Sequence, residues 1–233
     1  MTTSEHLDSK AAQRLARYYD RFNAPAERRW AGARRAAMVG PLTGRVLEVG
    51  AGTGANLGHY RGVREVLAAE PSAAMRERLR DAAAKAQVPV EIVDATAERL
   101  PFDDASFDAV VCGLVLCSVA DLDQALAEIR RVLKPTGRLV FFEHVRSDGL
   151  LGWVQDRIEP AWTRIAAGCR PNRDIVEAIR AADFDLRELD IFRPWPRVPL
   201  VAPYVQGVAT PPNSQYARES SWMFGQPTPR KPS

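Results

Sequence analysis

From Arg45 onward the chain alternates short apolar runs with longer amphipathic stretches. The apolar runs predict strands at 45–49, 65–69, 89–93, 107–113 and 138–143, and the amphipathic stretches predict helices at 54–60, 72–86 and 121–133. The last helix has a clear beginning in Asp121, a good N-cap, and a buried stripe of Leu122, Ala125, Leu126, Ile129 and Leu133. It should stop before Lys134-Pro135-Thr136-Gly137. Strands that alternate with helices of this length imply right-handed βαβ units, hence an α/β fold with a parallel sheet covered on both faces. After residue 144 the pattern changes to helical segments at 151–167 and 172–182, a strand at 184–192 and an apolar stretch at 198–208.

Ahead of this core, residues 8–39 read as helix in one or two pieces, interrupted near Asn23-Ala24-Pro25. Leu15, Tyr18, Tyr19 and Phe22 recur at helical spacing, and Arg14, Arg17 and Arg21 form a basic face. Three readings fit: a cap packed on the domain with its arginines in water, a lid over a ligand, or an interfacial helix in peripheral contact with an anionic membrane. Residues 210–233 contain five prolines and many polar residues, so a disordered tail is expected there, with Trp222, Met223 and Phe224 as exceptions able to dock. The expected organisation is a helical cap at 1–40, one domain at 41–209 and the tail at 210–233.

The most distinctive stretch is VLEVGAGTGAN at 46–56. A strand leads into Glu48 and then into Gly50, Gly52 and Gly54. Glycine permits positive φ and close approach of a bound molecule to the backbone. The following helix is expected to aim its N–H groups and positive dipole end at an anion. A dinucleotide loop more often reads G-x-G-x-x-G, to seat a pyrophosphate. Here the spacing is G-x-G-x-G, and Glu48 would repel a phosphate but can face an ammonium. A ligand with both a carboxylate and an ammonium fits, such as the methionyl end of S-adenosylmethionine. Glu70 lies 20 residues after Gly50 and ends the second strand, the offset of an acid that binds ribose hydroxyls.

Composition narrows the partners. The 233 residues carry a net charge of +3, too small to imply nucleic acid. Cys112, Cys117 and Cys169 are odd in number and show no metal-type pair spacing, so they read as reduced thiols with no metal site or disulfide. Cys112 and Cys117 fit core packing, and no cation lies close in sequence to activate either. No apolar stretch is long enough to span a membrane, and the N-terminus lacks a signal-like run, so a cytoplasmic protein without an obligate protein partner is expected.

In an open parallel sheet, ligands bind beyond the strands' carboxyl ends. The loop after the third strand, Asp94 to Phe102, can hold an adenine. The fourth strand runs into VVCGLVLCSV at 110–119, where Leu114 is the residue best placed to wall a substrate pocket. There is no Asp/Asn-Pro-Pro-aromatic sequence, which disfavours methylation of a flipped base. The fifth strand ends in Phe142-Glu143-His144. His144 is either a general base or a scaffold histidine, and Glu143 either orients it or binds a cationic substrate.

VLEVGAGTGAN, Glu70, AERLPFDDASFDAVV and ALAEIRRVLKPTGRLVFFEHV together resemble the class I S-adenosylmethionine-dependent methyltransferases, specifically the methyltransferase type 11 domain, over residues 45–145. LVLCSV, FFEHV, EPAWTRIAAGC and PYVQGVA are similar to the methyltransferase-like seven group, known for thiol S-methylation of small molecules. The resemblance implies a doubly wound, Rossmann-like, seven-stranded, mostly parallel sheet, with S-adenosylmethionine as cofactor and a small-molecule methyl acceptor. It places cofactor contacts on Glu48, Gly50, Ala51, Gly52, Thr53, Gly54, Asn56, Glu70, Pro71, Thr96, Ala97, Glu98 and Leu114, with His144 and Glu143 as catalytic candidates. Thr96 stands where an acid or small residue is common. Animal members of the group carry an N-terminal hydrophobic anchor that this sequence does not show, and Arg170-Pro171-Asn172-Arg173-Asp174 replaces a leucine-containing segment. Phosphatidylethanolamine N-methyltransferases share a similar glycine loop, so phospholipid methylation and non-catalytic cofactor binding are the alternative readings.

Overall fold

The computed structural model describes residue 18 and residues 20–166, 168–194 and 202–212. Seven strands form one sheet: β1 (Thr43–Val49), β2 (Gly62–Ala69), β3 (Val90–Val93), β4 (Phe107–Gly113), β5 (Leu133–His144), β6 (Asp185–Phe192) and β7 (Tyr204–Thr210), in the order β3-β2-β1-β4-β5-β7-β6. The pairs from β3 across to β5 are parallel, and β7 runs antiparallel to both β5 and β6. Strand order reverses at β1, which lies between β2 and β4. The sheet is thus doubly wound and mostly parallel, with its ligand crevice expected where β1 and β4 diverge.

Adjacent residues of the central strands serve opposite faces. Leu47, Val49, Val110 and Phe141 enter one apolar cluster, while Val46, Ala109, Val111, Val140 and Phe142 enter the other. This double burial explains why these strands read as continuous apolar runs rather than alternating ones. Helices α1 (Gly32–Val39), α2 (Ala73–Ala83), α3 (Leu122–Val132), α4 (Gly149–Ile165) and α5 (Ile175–Ala181) accompany the sheet. Asp121 caps α3 by accepting from the Gln124 N–H at 3.0 Å, and Ala125, Leu126 and Ile129 are buried as the periodicity requires.

Four local expectations need correction. No α-helix follows the glycine loop; residues 54–60 form turns and a short 3-10 helix, Leu57–His59, because Gly54 takes φ 88° and breaks helical continuity. The expected helix dipole is therefore missing from this site. β5 begins at Leu133 rather than 138: Leu133 pairs with Phe107 and Arg138 with Ala109, so residues 134–137 bulge out of a longer strand. The chain stays helical through Pro25, and its irregularity is a π-helical segment, Glu27–Ala31, just beyond. Finally, Tyr18 and Phe22 are exposed and face each other edge-on instead of packing on the core. Leu15, Tyr19, Arg14, Arg17, residues 198–201 and the tail from 213 lie outside the described residues.

Candidate functional site

The glycine loop leaves β1 with Gly50, Gly52 and Gly54 all at positive φ. Each glycine answers a different demand. A Cβ on Gly50 would sit 2.3 Å from the Val115 side chain, and one on Gly54 2.6 Å from Ala82, so both are needed for packing. A Cβ on Gly52 would meet nothing within 4 Å. Gly52 therefore faces open space, and its backbone is the part of the loop that a ligand can approach. Thr53 is buried beside it and donates to Asp20 at 2.6 Å, while Ala51 donates to the Ala69 carbonyl at 3.1 Å.

Glu70, at the end of β2, lies directly against this loop. One of its oxygens accepts from the Gly52 N–H at 2.9 Å and the other from the Ser72 N–H across Pro71, also at 2.9 Å. An ionised carboxylate offers about four acceptor positions, so two remain for ligand hydroxyls. Burial pushes the Glu70 pKa up, against the backbone N–H donors that lower it.

Glu48 is not placed to meet an ammonium. It is 2 % exposed, with one oxygen accepting from Asn56 Nδ2 at 3.0 Å and the other from the Tyr60 hydroxyl at 2.9 Å. Burial raises its pKa to about 7 despite these donors and the nearby Arg35. Asn56 is equally committed, because its Oδ1 accepts from Arg35 Nη1 at 3.0 Å. Glu48 and Asn56 thus belong to a buried network beneath the loop and do not line the cradle. Arg35 itself went unnoticed in the sequence, although it shares the helical stripe of Ala31, Met38 and Val39, and a basic residue there is a detectable anomaly.

After β3, Thr96 and Arg99 close a small turn with Ala97 buried inside it. Glu98 accepts from the Ala120 and Asp121 N–H groups at 2.8 and 3.3 Å, so it fastens this loop to the start of α3. Asp94 pairs with Arg76 at 2.8 Å.

The other side of the crevice is aromatic. A cavity of about 380 Å³ runs from Thr53 and Ala55 of the glycine loop to Leu114, Phe142, Tyr204 and Trp30, roofed by residues of the N-terminal helical segment. Leu114 adopts φ 63° and donates to the Phe142 carbonyl at 2.7 Å, an unusual backbone held at the end of β4. Trp30 meets Phe142, Phe192 and Tyr204 edge-on, at ring separations of 6.1, 5.9 and 5.1 Å. Trp30 thus brings the N-terminal segment into the cavity wall opposite the glycine loop. Trp30 carries no motif, and Tyr204 lies in the PYVQGVA stretch, with no role of its own read from the sequence.

Glu143 is fully buried and cannot reach a substrate. Its carboxylate accepts from the Val115 and Leu116 N–H groups at 2.9 Å each and from Cys117 at 3.2 Å, fixing the turn after β4. This replaces both expected roles for Glu143. His144 projects beside Tyr204, with ring centroids 4.7 Å apart, and its Nδ1 lies between the sulfurs of Cys117 and Cys169. The thiols are therefore not isolated: α4 and the following loop return Cys169 to the end of β5. The Cys117 hydrogen bond pulls the Cys169 pKa below the ordinary thiol range, against burial, and pushes that of Cys117 up. The buried Trp162 Nε1 has no hydrogen-bond partner among the described residues.

Residues 47–141 match the methyltransferase domain family. A thiol S-methyltransferase of Rattus norvegicus is 36% identical over 175 residues, covering 70% of this chain and 69% of the relative. A demethylmenaquinone methyltransferase of Deinococcus radiodurans is 36% identical over 132 residues, 55% of each chain. Among solved structures, an S-adenosylmethionine-dependent methyltransferase of Thermotoga maritima, described as a possible histamine N-methyltransferase, superposes with a TM-score of 0.64 at 22% identity over 86% of this chain and 98% of that one. The open backbone at Gly52 beside a ribose-competent Glu70 suits the cofactor these proteins share. The chain belongs to the class I S-adenosylmethionine-dependent methyltransferases and is related to the thiol S-methyltransferases.

Proposed function

We propose that this enzyme methylates the sulfur of a small, largely apolar thiol. The observation that carries the reading is the cavity walled by Trp30, Phe142 and Tyr204 under the N-terminal helical segment, which reaches Thr53 and Ala55 of the glycine loop. Its volume is within the roughly 300–1,000 Å³ of small-ligand pockets; Trp30, Leu114, Phe142 and Tyr204 form an apolar wall, and Asp20, Asn23, Glu27, Arg28 and Arg35 give it a polar, charged roof. Similarity to thiol S-methyltransferases supports the same acceptor class.

S-adenosylmethionine supplies an electrophilic methyl on a sulfonium. The Gly52 backbone and Glu70 hold the nucleoside and methionyl parts, while Thr96 and Ala97 border the adenine. Trp30, Phe142 and Tyr204 exclude water and hold the acceptor in line with the methyl, so that positioning provides much of the rate enhancement. A free thiol has a pKa near ~8.5 and is partly ionised at neutral pH, so it needs less help than an alcohol or ammonium. We read residues 1–40 as a helical cap and 41–209 as the catalytic unit.

The test is S-adenosylhomocysteine formation with a panel of alkyl and aryl thiols, phenols, amines and phosphatidylethanolamine vesicles. Methyl thioether products are expected. Methylated lipid or amine with no thioether would overturn the thiol reading and leave the enzyme class intact.

A further inference from the structure

Cys117, His144 and Cys169 come from three separate places: the turn after β4, the end of β5 and the loop after α4. Their ligating atoms all lie within 4.8 Å of one another, with His144 Nδ1 3.6 Å from Cys117 Sγ and 3.5 Å from Cys169 Sγ. Zinc bonds of ~2.3 Å to sulfur and ~2.05 Å to nitrogen at a tetrahedral angle give a sulfur–nitrogen edge of about 3.6 Å. Both sulfur–nitrogen edges have that length; the sulfur–sulfur edge, within 4.8 Å, closes to about 3.8 Å on the same tetrahedron.

The backbone around the three residues is already tied down. The Arg170 N–H donates to the Cys117 carbonyl at 2.8 Å, joining the two cysteine-bearing loops directly. Arg173 donates to the Leu116 and Val119 carbonyls at 2.7 Å each, and Glu143 holds the Cys117 N–H. No fourth cysteine, histidine or carboxylate joins the group among the described residues. Closed structural zinc sites use four protein ligands, whereas three leave a position for an exchangeable ligand. The cluster is one ring away from the cavity, because His144 packs on Tyr204 and Tyr204 lines it.

We propose that Cys117, His144 and Cys169 bind one zinc ion, whose open fourth position takes the sulfur of the methyl acceptor. Only the identity of this fourth ligand rests on the thiol reading. Two cysteine protons are released to solvent when the metal binds, and the acceptor thiol releases one more when it coordinates. The coordinated thiolate then forms the new sulfur–methyl bond as the sulfonium carbon–sulfur bond breaks, leaving two neutral thioethers and the zinc on its three protein ligands.

The full-length protein, reduced and stripped with a chelator, is titrated with zinc(II) and separately with cobalt(II). The expected result is one zinc per chain and a near-ultraviolet thiolate-to-cobalt absorption band. Cys117→Ser, Cys169→Ser and His144→Ala should each weaken zinc binding by about a hundredfold or more. Cys112→Ser, buried in the core away from the cluster, should bind as the parent does. A zinc-induced rise in melting temperature, present in the parent and absent from variants that remain folded, separates ligand loss from misfolding. Absence of both the band and stoichiometric zinc in fully reduced protein would overturn the site, leaving thiol–imidazole hydrogen bonds as the reason for the contacts. Adding a small alkyl thiol should shift the cobalt band; an unmoved band would overturn the acceptor role alone. Failure of thiol turnover would leave the metal titration unchanged, so the two readings fail separately.

Discussion

Glu70 and Glu143 are both buried carboxylates at strand ends, and both accept backbone N–H groups from a neighbouring loop. They differ in what is left over. Glu70 accepts two N–H groups and keeps slight exposure beside the open Gly52 cradle, whereas Glu143 accepts three and is sealed. The cofactor side of the crevice thus retains acceptor capacity for a ligand, and the acceptor side spends its acid on holding the chain.

The strongest way to break this comparison is Gly52→Val. Its branched side chain would occupy the only unfilled glycine position of the loop and would also have to adopt φ 58°. Binding of S-adenosylhomocysteine should fall below detection in calorimetry, and retention of parental affinity would show that the ligand approaches elsewhere. Glu143→Ala should come next, because it leaves three N–H groups without their acceptor at a cost of about 3 kcal/mol or more. Urea unfolding should show that loss; a midpoint equal to the parent's would mean the turn after β4 does not depend on this acid.

Glu48 gives a pH-dependent version of the same contrast. Its folded pKa of about 7 lies above the ordinary 4.5, so the folded chain retains a proton that the unfolded chain releases. The contribution is complete below 4.5 and is lost as pH rises through 7, about 3 kcal/mol in total for a fully buried group. Parent stability measured from pH 5 to 8 should decline relative to Glu48→Gln. Parallel curves would mean that Glu48 is ionised throughout. The smallest effect is expected of Glu70→Ala, a tenfold to hundredfold loss of cofactor affinity from charge-assisted hydrogen bonds worth ~1.5–3 kcal/mol. Unchanged affinity would remove Glu70 from the ribose contact.

The cofactor side was readable because its parts are close together in the chain and dictated by local conformation. Gly50, Gly52 and Gly54 occupy positions where positive φ is required, and Glu70 reaches Gly52 across only the β1-to-β2 connection and β2 itself. Glu48 shows the limit of that approach: its spacing was recognisable, but its orientation depends on Tyr60 and Asn56, whose packing no motif announces. On the acceptor side, Trp30, Phe142 and Tyr204 meet only because β7 inserts beside β5 and the N-terminal helical segment folds back over both. The sulfurs of Cys117 and Cys169 likewise meet through α4, so their separation in sequence resembled no ligand spacing.

Arg35 has a kinetic consequence. It extends from the roof of the cavity to Asn56 below the glycine loop, and through Asn56 to Glu48. Roof opening and loosening of the cofactor's floor therefore draw on the same hydrogen bonds, which favours compulsory order in the catalytic cycle: cofactor in first, methylated acceptor out next, S-adenosylhomocysteine out last. Product-inhibition patterns should show S-adenosylhomocysteine competing with S-adenosylmethionine alone, and Arg35→Ala should relax that order towards random release.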